Sequence, residues 1–186
     1  MGTNGKPKNR RKWVIAALEE FESRLTTYAA RLLGDEDLAR DAVQHTFLKL
    51  CDQSPDELDS RLAAWLYTVC RNKSLDLLRA GGRSESLDDD DLEPAGREHD
   101  PADVVEHDDL HECLRQLVAT LPSAQREAIV LWQAGFTYRE IGDITNRSEG
   151  AARVLVHRAL TTLREHPWTR RLLEEESFNG KPKATA

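Results

Sequence analysis

The sequence predicts an all-α protein: two small helical domains joined by a flexible acidic linker, the second a four-helix domain with a helix-turn-helix. Three observations carry that expectation. Apolar residues recur at helical spacing through most of the 186-residue chain, and nowhere do they alternate as in a half-buried strand. The net charge of −7 comes from one place, residues 85–112, with 13 acidic residues and one basic; residues 1–84 hold 14 basic against 12 acidic, and residues 113–186 hold 11 against 8. Residues 137–164, TYREIGDITNRSEGAARVLVHRALTTLR, read as two helices around a tight turn.

Residues 1–12 are a polar tail carrying Lys6, Lys8, Arg10, Arg11 and Lys12, expected to be disordered. A first domain over 13–83 follows. Its first helix carries Trp13, Ala17, Phe21, Leu25 and Leu32 at helical spacing, and Gly34 closes it. Asp35 is placed to cap a second helix through Leu38, Ala42, Val43, Phe47 and Leu50. Residues 52–59, with Ser54 before Pro55, read as a loop. A third helix starts near Ser60, with Leu62, Trp65, Leu66, Val69 and Cys70 on its apolar stripe, and stops at Gly81 and Gly82.

The linker spans 84–108. Four consecutive aspartates at 88–91, two prolines and few apolar residues leave it unable to bury enough surface to order itself. Fully extended it reaches at most about 85 Å. A second domain, 109–166, resumes with Leu110, Leu114, Leu117 and Leu121, is interrupted at Pro122, and continues through Ala128, Ile129, Leu131 and Trp132. Residues 167–186 form a C-terminal tail.

Within the second domain Gly135 is placed to end one helix and Thr137 with Glu140 to open the next as a capping box. Gly142 leaves room for close approach of another helix. Asn146 suits the left-handed turn and Ser148 caps the last helix. That helix gathers Ala152, Leu155, Val156, Ala159 and Leu163 on one side and Arg153, Val154, His157, Arg158 and Thr161 on the other. An apolar back and a basic, polar front, behind a short capped helix, are the features of a helix that lies in a DNA major groove. Thr145 and Arg147 stand where such turns usually carry apolar residues.

Other classes of function find no support. The six histidines and three cysteines show no metal-ligand spacing, and there is no glycine-rich phosphate loop or nucleophile motif, so neither an enzyme nor a cofactor is expected. No apolar run is long enough to span a bilayer and no signal-peptide core is present, so no membrane insertion and a cytoplasmic location are expected. Cys51, Cys70 and Cys113 read as reduced, small packing residues.

Three stretches together resemble the sigma-70 family of bacterial RNA polymerase sigma factors, in its extracytoplasmic function (ECF) group. LARDAVQHTFLKL at 38–50 is similar to the segment that holds the β′ clamp helices of core polymerase. LAAWLYTVCRNKSLDLLR at 62–79 is similar to the segment that captures the −10 promoter element. Residues 121–160 are similar to the domain that reads the −35 element. The resemblance implies that the chain binds core polymerase at the β′ clamp helices and β flap, recognises promoter DNA and promotes its melting, and answers to an anti-sigma factor.

Carried over by position, Asp41 and Gln44 contact the clamp; Tyr67, Arg71, Asn72, Lys73 and Arg79 meet the −10 single strand; and Arg153, Val154, His157 and Arg158 read the −35 groove. Asn72 matches the position that helps read an everted base, with residues 53–60 forming the wall of its pocket. Trp65 is assigned to the core and Tyr67 to the surface. His45 stands where the family more often has an acid, and Leu155 where it is often basic. The resemblance threads the linker through the polymerase's transcript channel, where its carboxylates can either mimic nucleic-acid phosphate or act as a self-repelling spacer. The alternative is a helix-turn-helix transcriptional regulator with an N-terminal effector or dimerisation domain. It explains 137–160 equally well but leaves 38–50 and 62–79 without a role.

Overall fold

A computed structural model describes residues 7–81 and 107–171. Among them every regular element is helical: α1 Pro7–Leu33, α2 Glu36–Cys51, α3 Pro55–Leu58, a 3-10 turn Asp59–Arg61, α4 Leu62–Ala80, α5 His107–Ala119, α6 Ser123–Gln133, α7 Tyr138–Thr145 and α8 Glu149–Glu165. None of these helices is long and apolar enough to cross a membrane. Met1–Ser86 with Val130–Ala152 make one compact unit, and Leu87–Ile129 with Arg153–Ala186 make another. The expected linker, 84–108, lies outside the described residues except for 107 and 108, which open α5.

In the first unit α1 starts at Pro7 and not at Trp13. Proline suits the first helical position, and the arginines and lysines after it are good helix formers, so Arg10, Arg11 and Lys12 lie on its early turns and not in a disordered tail. Gly34 ends α1 at φ +67°, its N–H donating to Ala30 O. Asp35 caps α2, its Oδ1 accepting from Asp37 N at 2.9 Å and Leu38 N at 3.1 Å. Helices α1, α2 and α4 pack on one another around Phe21, Leu25, Ala29, Val43, Phe47, Leu50 and Leu66. Residues 52–59, expected as loop, contain the helical turn α3, with Pro55 first and Asp56 and Glu57 in its opening turn.

Polar groups enter this core without being left unpaired. Thr46 and Ser74, both fully buried, donate to carbonyls one turn back, Ala42 O at 2.8 Å and Cys70 O at 2.9 Å. Cys70 lies between them, and burial raises its thiol to about 11 against the lowering effect of hydrogen bonds with Thr46 and Ser74. It alone fits the expectation of a buried cysteine. Cys51 is exposed and Cys113 half-buried, and all three are free.

The turn after α7 shows why glycine stands at 142. A Cβ there would lie 2.7 Å from Arg147 O and 3.3 Å from Glu149 N. The closest neighbour is a carbonyl of the turn, and the start of α8 at Glu149 is the close-approaching helix that the sequence led us to expect. On helix propensity alone Gly142→Ala gains about 1 kcal/mol. The clash reverses the sign, and we expect a net loss of about 1–3 kcal/mol in urea unfolding of the full chain. A more stable Gly142→Ala protein would show that the turn relaxes freely.

In the second unit α5 ends where Thr120 Oγ1 donates to Leu117 O at 2.7 Å, and Arg126 donates to both Ala119 O and Leu121 O at 2.9 Å. One guanidinium thus holds the carbonyls at the α5–α6 corner.

Candidate nucleic-acid and polymerase interfaces

The helix-turn-helix is built by local rules. α6 closes in a Schellman arrangement: Gly135 at φ +96° donates to Trp132 O at 3.0 Å, and Phe136 N donates to Leu131 O at 3.3 Å. Thr137 then caps α7. Its N–H donates to Glu140 Oε2 at 2.8 Å, while Glu140 N donates to Thr137 Oγ1 at 3.3 Å, a complete capping box. Asn146 sits at φ 58°, ψ 44°, and Arg147 N donates to Gly142 O at 2.8 Å. Thr145 is tolerated at a buried position because its hydroxyl bonds back to Ile141 O at 2.7 Å, leaving its methyl group to fill the site. Ser148 Oγ accepts from Ala151 N at 3.1 Å and starts α8.

Hydrogen bonds from Thr137, backbone first and side chain second, hold the Glu140 carboxyl below its ordinary value. Its contribution to stability is therefore full above the unfolded-state value near 4.3 and lost as pH falls through the lower folded-state value. Glu140→Gln keeps the acceptor but removes the charge at the helix N-terminus, worth about 0.3–1 kcal/mol. We expect the two proteins to differ in thermal midpoint at pH 7 and to converge once the wild-type carboxyl is protonated. A difference that persists in acid would have another origin.

On α8, Ala152, Leu155, Val156 and Ala159 are buried, and Arg153, Val154, His157 and Arg158 are exposed, Val154 at 47%. Four exposed side chains of mixed chemistry thus share one helix face: two guanidiniums, an imidazole and an apolar isopropyl group. That set can bond base edges or phosphates and touch a thymine methyl group.

On α2, Asp41 and Gln44 are both exposed. Gln44 borders an apolar groove of about 380 Å³ that also touches Val14, Leu18, Val43, Phe47 and Leu48. Leu48 is 68% and Leu18 38% exposed. The sequence reading passed over both leucines. The available signal was their position off the buried stripes of α1 and α2, which leaves an apolar side chain with no core to enter.

On α4 the expected −10 residues separate into two groups. Asn72 and Arg79 are exposed, with Arg79 donating to Asp76 at 3.1 Å, and Lys73 is half-buried. Tyr67 and Arg71 are not on the surface: they are 2% and 7% exposed. The expectation that Trp65 is core and Tyr67 exposed is thus corrected. Trp65 is half-buried, and the buried stripe runs Leu66, Tyr67, Cys70, Arg71, Ser74. Tyr67 is enclosed by Tyr28, at 5.0 Å between ring centroids, and by Phe136, edge-on at 4.8 Å. Burial raises the tyrosine pKa, and the nearby Arg24 guanidinium partly offsets the rise.

Comparison with known proteins follows the same division of the chain. The family model "Sigma-70 region 2" matches residues 17–84, and "Sigma-70, region 4" matches residues 111–163. The RNA polymerase sigma factor CarQ of Myxococcus xanthus is 32% identical over 146 residues, covering 76% of this chain and 82% of that protein. The ECF RNA polymerase sigma factor EcfG of Rhodopseudomonas palustris is 32% identical over 75% of this chain and 76% of its own length. The ECF RNA polymerase sigma factor SigE of Mycolicibacterium smegmatis is 27% identical over 80% of this chain but only 59% of its own. Among solved structures, the sigma factor RpoE in complex with the anti-sigma factor NepR, from Bartonella quintana, superposes with a TM-score of 0.57 over 85% of this chain and 96% of that one. At 24% identity that likeness concerns the fold alone.

Proposed function

The chain belongs to the ECF group of the sigma-70 family of RNA polymerase sigma factors, and from that membership we infer how its surfaces divide the work of transcription initiation. The two family-model matches support a division into a polymerase- and −10-binding domain at 13–83 and a −35-reading domain at 109–166, with 84–108 as the connection. Asp41 and Gln44 are assigned to the β′ clamp, and the groove beside Gln44 offers the clamp an apolar rim through Leu18 and Leu48. Arg153, Val154, His157 and Arg158 are assigned to the −35 groove, and the exposed Asn72 and Arg79, with the half-buried Lys73, to the −10 single strand; Tyr67 and Arg71 belong to the core. The β flap and an anti-sigma factor complete the expected partners. A sigma factor supplies recognition and melting while core polymerase supplies the chemistry, so the protein acts in the cytoplasm, with no catalytic residue of its own.

The observation that carries this reading is the four-residue exposed face of α8 behind a fully capped α7. The match to region 2 over 17–84 supports a sigma factor over a stand-alone helix-turn-helix regulator, which has no use for such a domain. Core dependence is the test. The purified chain with core polymerase should bind and open promoter fragments that neither binds alone. Tight, sequence-selective DNA binding by the chain alone, unchanged when core is added, would return the regulator.

A further inference from the structure

Five glycines lie among the described residues, and four of them are explained inside the molecule. Gly34 and Gly135 hold positive φ, +67° and +96°. Gly142 has no room for a side chain, and Gly81 is the C-cap of α4, where a Cβ would lie 3.4 Å from Leu77 O. Gly150 has none of these reasons. It is the second residue of α8, its φ is not left-handed, and a Cβ there would meet only Ser148 Oγ, at an ordinary 3.9 Å. Glycine is the poorest helix former after proline, so the chain accepts a loss of stability at this position with no gain inside the fold. Its place in the helix shows where the gain lies. Gly150 is exposed, and the exposed Arg153, Val154 and His157 follow it at intervals of three, four and seven residues. Those intervals put all four on one face of α8, with Gly150 at its head. A recognition helix meets duplex DNA with its N-terminal residues, which reach the base edges.

We propose that Gly150 is a positioning residue for −35 recognition: its missing side chain lets the backbone of α8 press against the wall of the major groove, and so sets the depth at which Arg153, Val154 and His157 work. The inference rests on the assignment of α8 to the −35 duplex and deepens it. Gly150 reads no base, having no group that can discriminate one. It acts through the rigidity of the helix. A single added methyl group lifts the start of α8 off the duplex and carries the Arg153 guanidinium with it, one turn on. Close approach of backbone to a ligand is a use that only glycine serves, and it accounts for a residue that costs helix stability on an open surface.

The test is Gly150→Ala in the full chain, measured for stability alone and for DNA binding as holoenzyme with core polymerase. Stability and binding should move in opposite directions. The thermal midpoint of the free chain should rise by about 2–4 °C, because alanine is the better helix former. Holoenzyme affinity for a duplex promoter should fall roughly 5- to 100-fold, the range expected when one methyl group is forced into a close-packed contact. Binding to a pre-opened −10 fragment that lacks the −35 element should stay at the wild-type value. Thr162→Ala serves as the control: it is exposed on the same helix, about 120° round from Gly150, and should leave duplex binding unchanged. Unchanged duplex binding in Gly150→Ala, beside a weakened Arg153→Ala, overturns the inference and leaves α8 as the −35 reader. A lowered midpoint in Gly150→Ala also overturns it, since the glycine would then have a reason inside the fold. Normal duplex binding by both variants removes the assignment of α8 itself.

Discussion

Asp41→Arg combined with Gln44→Ala should abolish co-purification with core polymerase while the helical content and unfolding midpoint stay at wild-type values. Both side chains are exposed on α2, while the helix is held from its other side by Ala39, Ala42, Val43, Thr46, Phe47 and Leu50 and at its start by the Asp35 cap. Reversing a charge and truncating an amide on the open side therefore spares the fold. Central interface positions of this kind cost at least about 2 kcal/mol each when removed, so the pair should lower affinity by three orders of magnitude or so. Asp41→Asn, which keeps the shape, should sit between wild type and Asp41→Arg if charge is what the clamp reads. A folded double variant that retains polymerase normally would move the contact elsewhere on α2, and Leu18 and Leu48 beside the groove would be the next residues to replace.

The second large effect separates the two DNA-reading surfaces by their chemistry. Arg153→Ala should weaken holoenzyme binding to duplex promoter by about 1–3 kcal/mol if the guanidinium bonds a base edge. If it only neutralises a phosphate, the loss should spread evenly over −35 sequences and the salt dependence become shallower. Asn72→Ala should leave closed-complex formation nearly intact and reduce opening, because an everted base exists only after the strands part. Permanganate reactivity of unpaired thymines, measured beside salt-titrated binding, reads both. Should Asn72→Ala lose duplex binding as severely as Arg153→Ala while melting normally, the division of labour is wrong.

What the sequence made legible follows the range of the forces involved. Every device within about six residues came through: Gly34, the Asp35 cap, the Gly135 closure, the Thr137–Glu140 box, Asn146 and Ser148. Each is a bond between near neighbours that residue type alone nearly dictates. The exposed face of α8 was legible for the same reason, since 3.6-residue periodicity places Arg153, His157 and Arg158 opposite Ala152, Val156 and Ala159. The face of α4 was not. Trp65, Leu66 and Tyr67 are all apolar enough to be buried, and which of them turns inward depends on Tyr28 and Phe136, both remote in the chain. Gly142 shows the same limit on a smaller scale. Its smallness was plain, but the neighbour that demands it is a backbone carbonyl that no side-chain pattern reveals.

The first compact unit is discontinuous in the chain, Met1–Ser86 being completed only by Val130–Ala152. A ribosome adding about 5–20 residues per second makes the first part several seconds before the second. For that interval α1, α2 and α4 can already pack on one another, yet Phe136 has not been synthesised and Tyr67 lacks that ring contact. Each molecule therefore passes through a stage at which Tyr67 can have Tyr28 beside it but not Phe136, and the last aromatic ring of this core is supplied by chain made later.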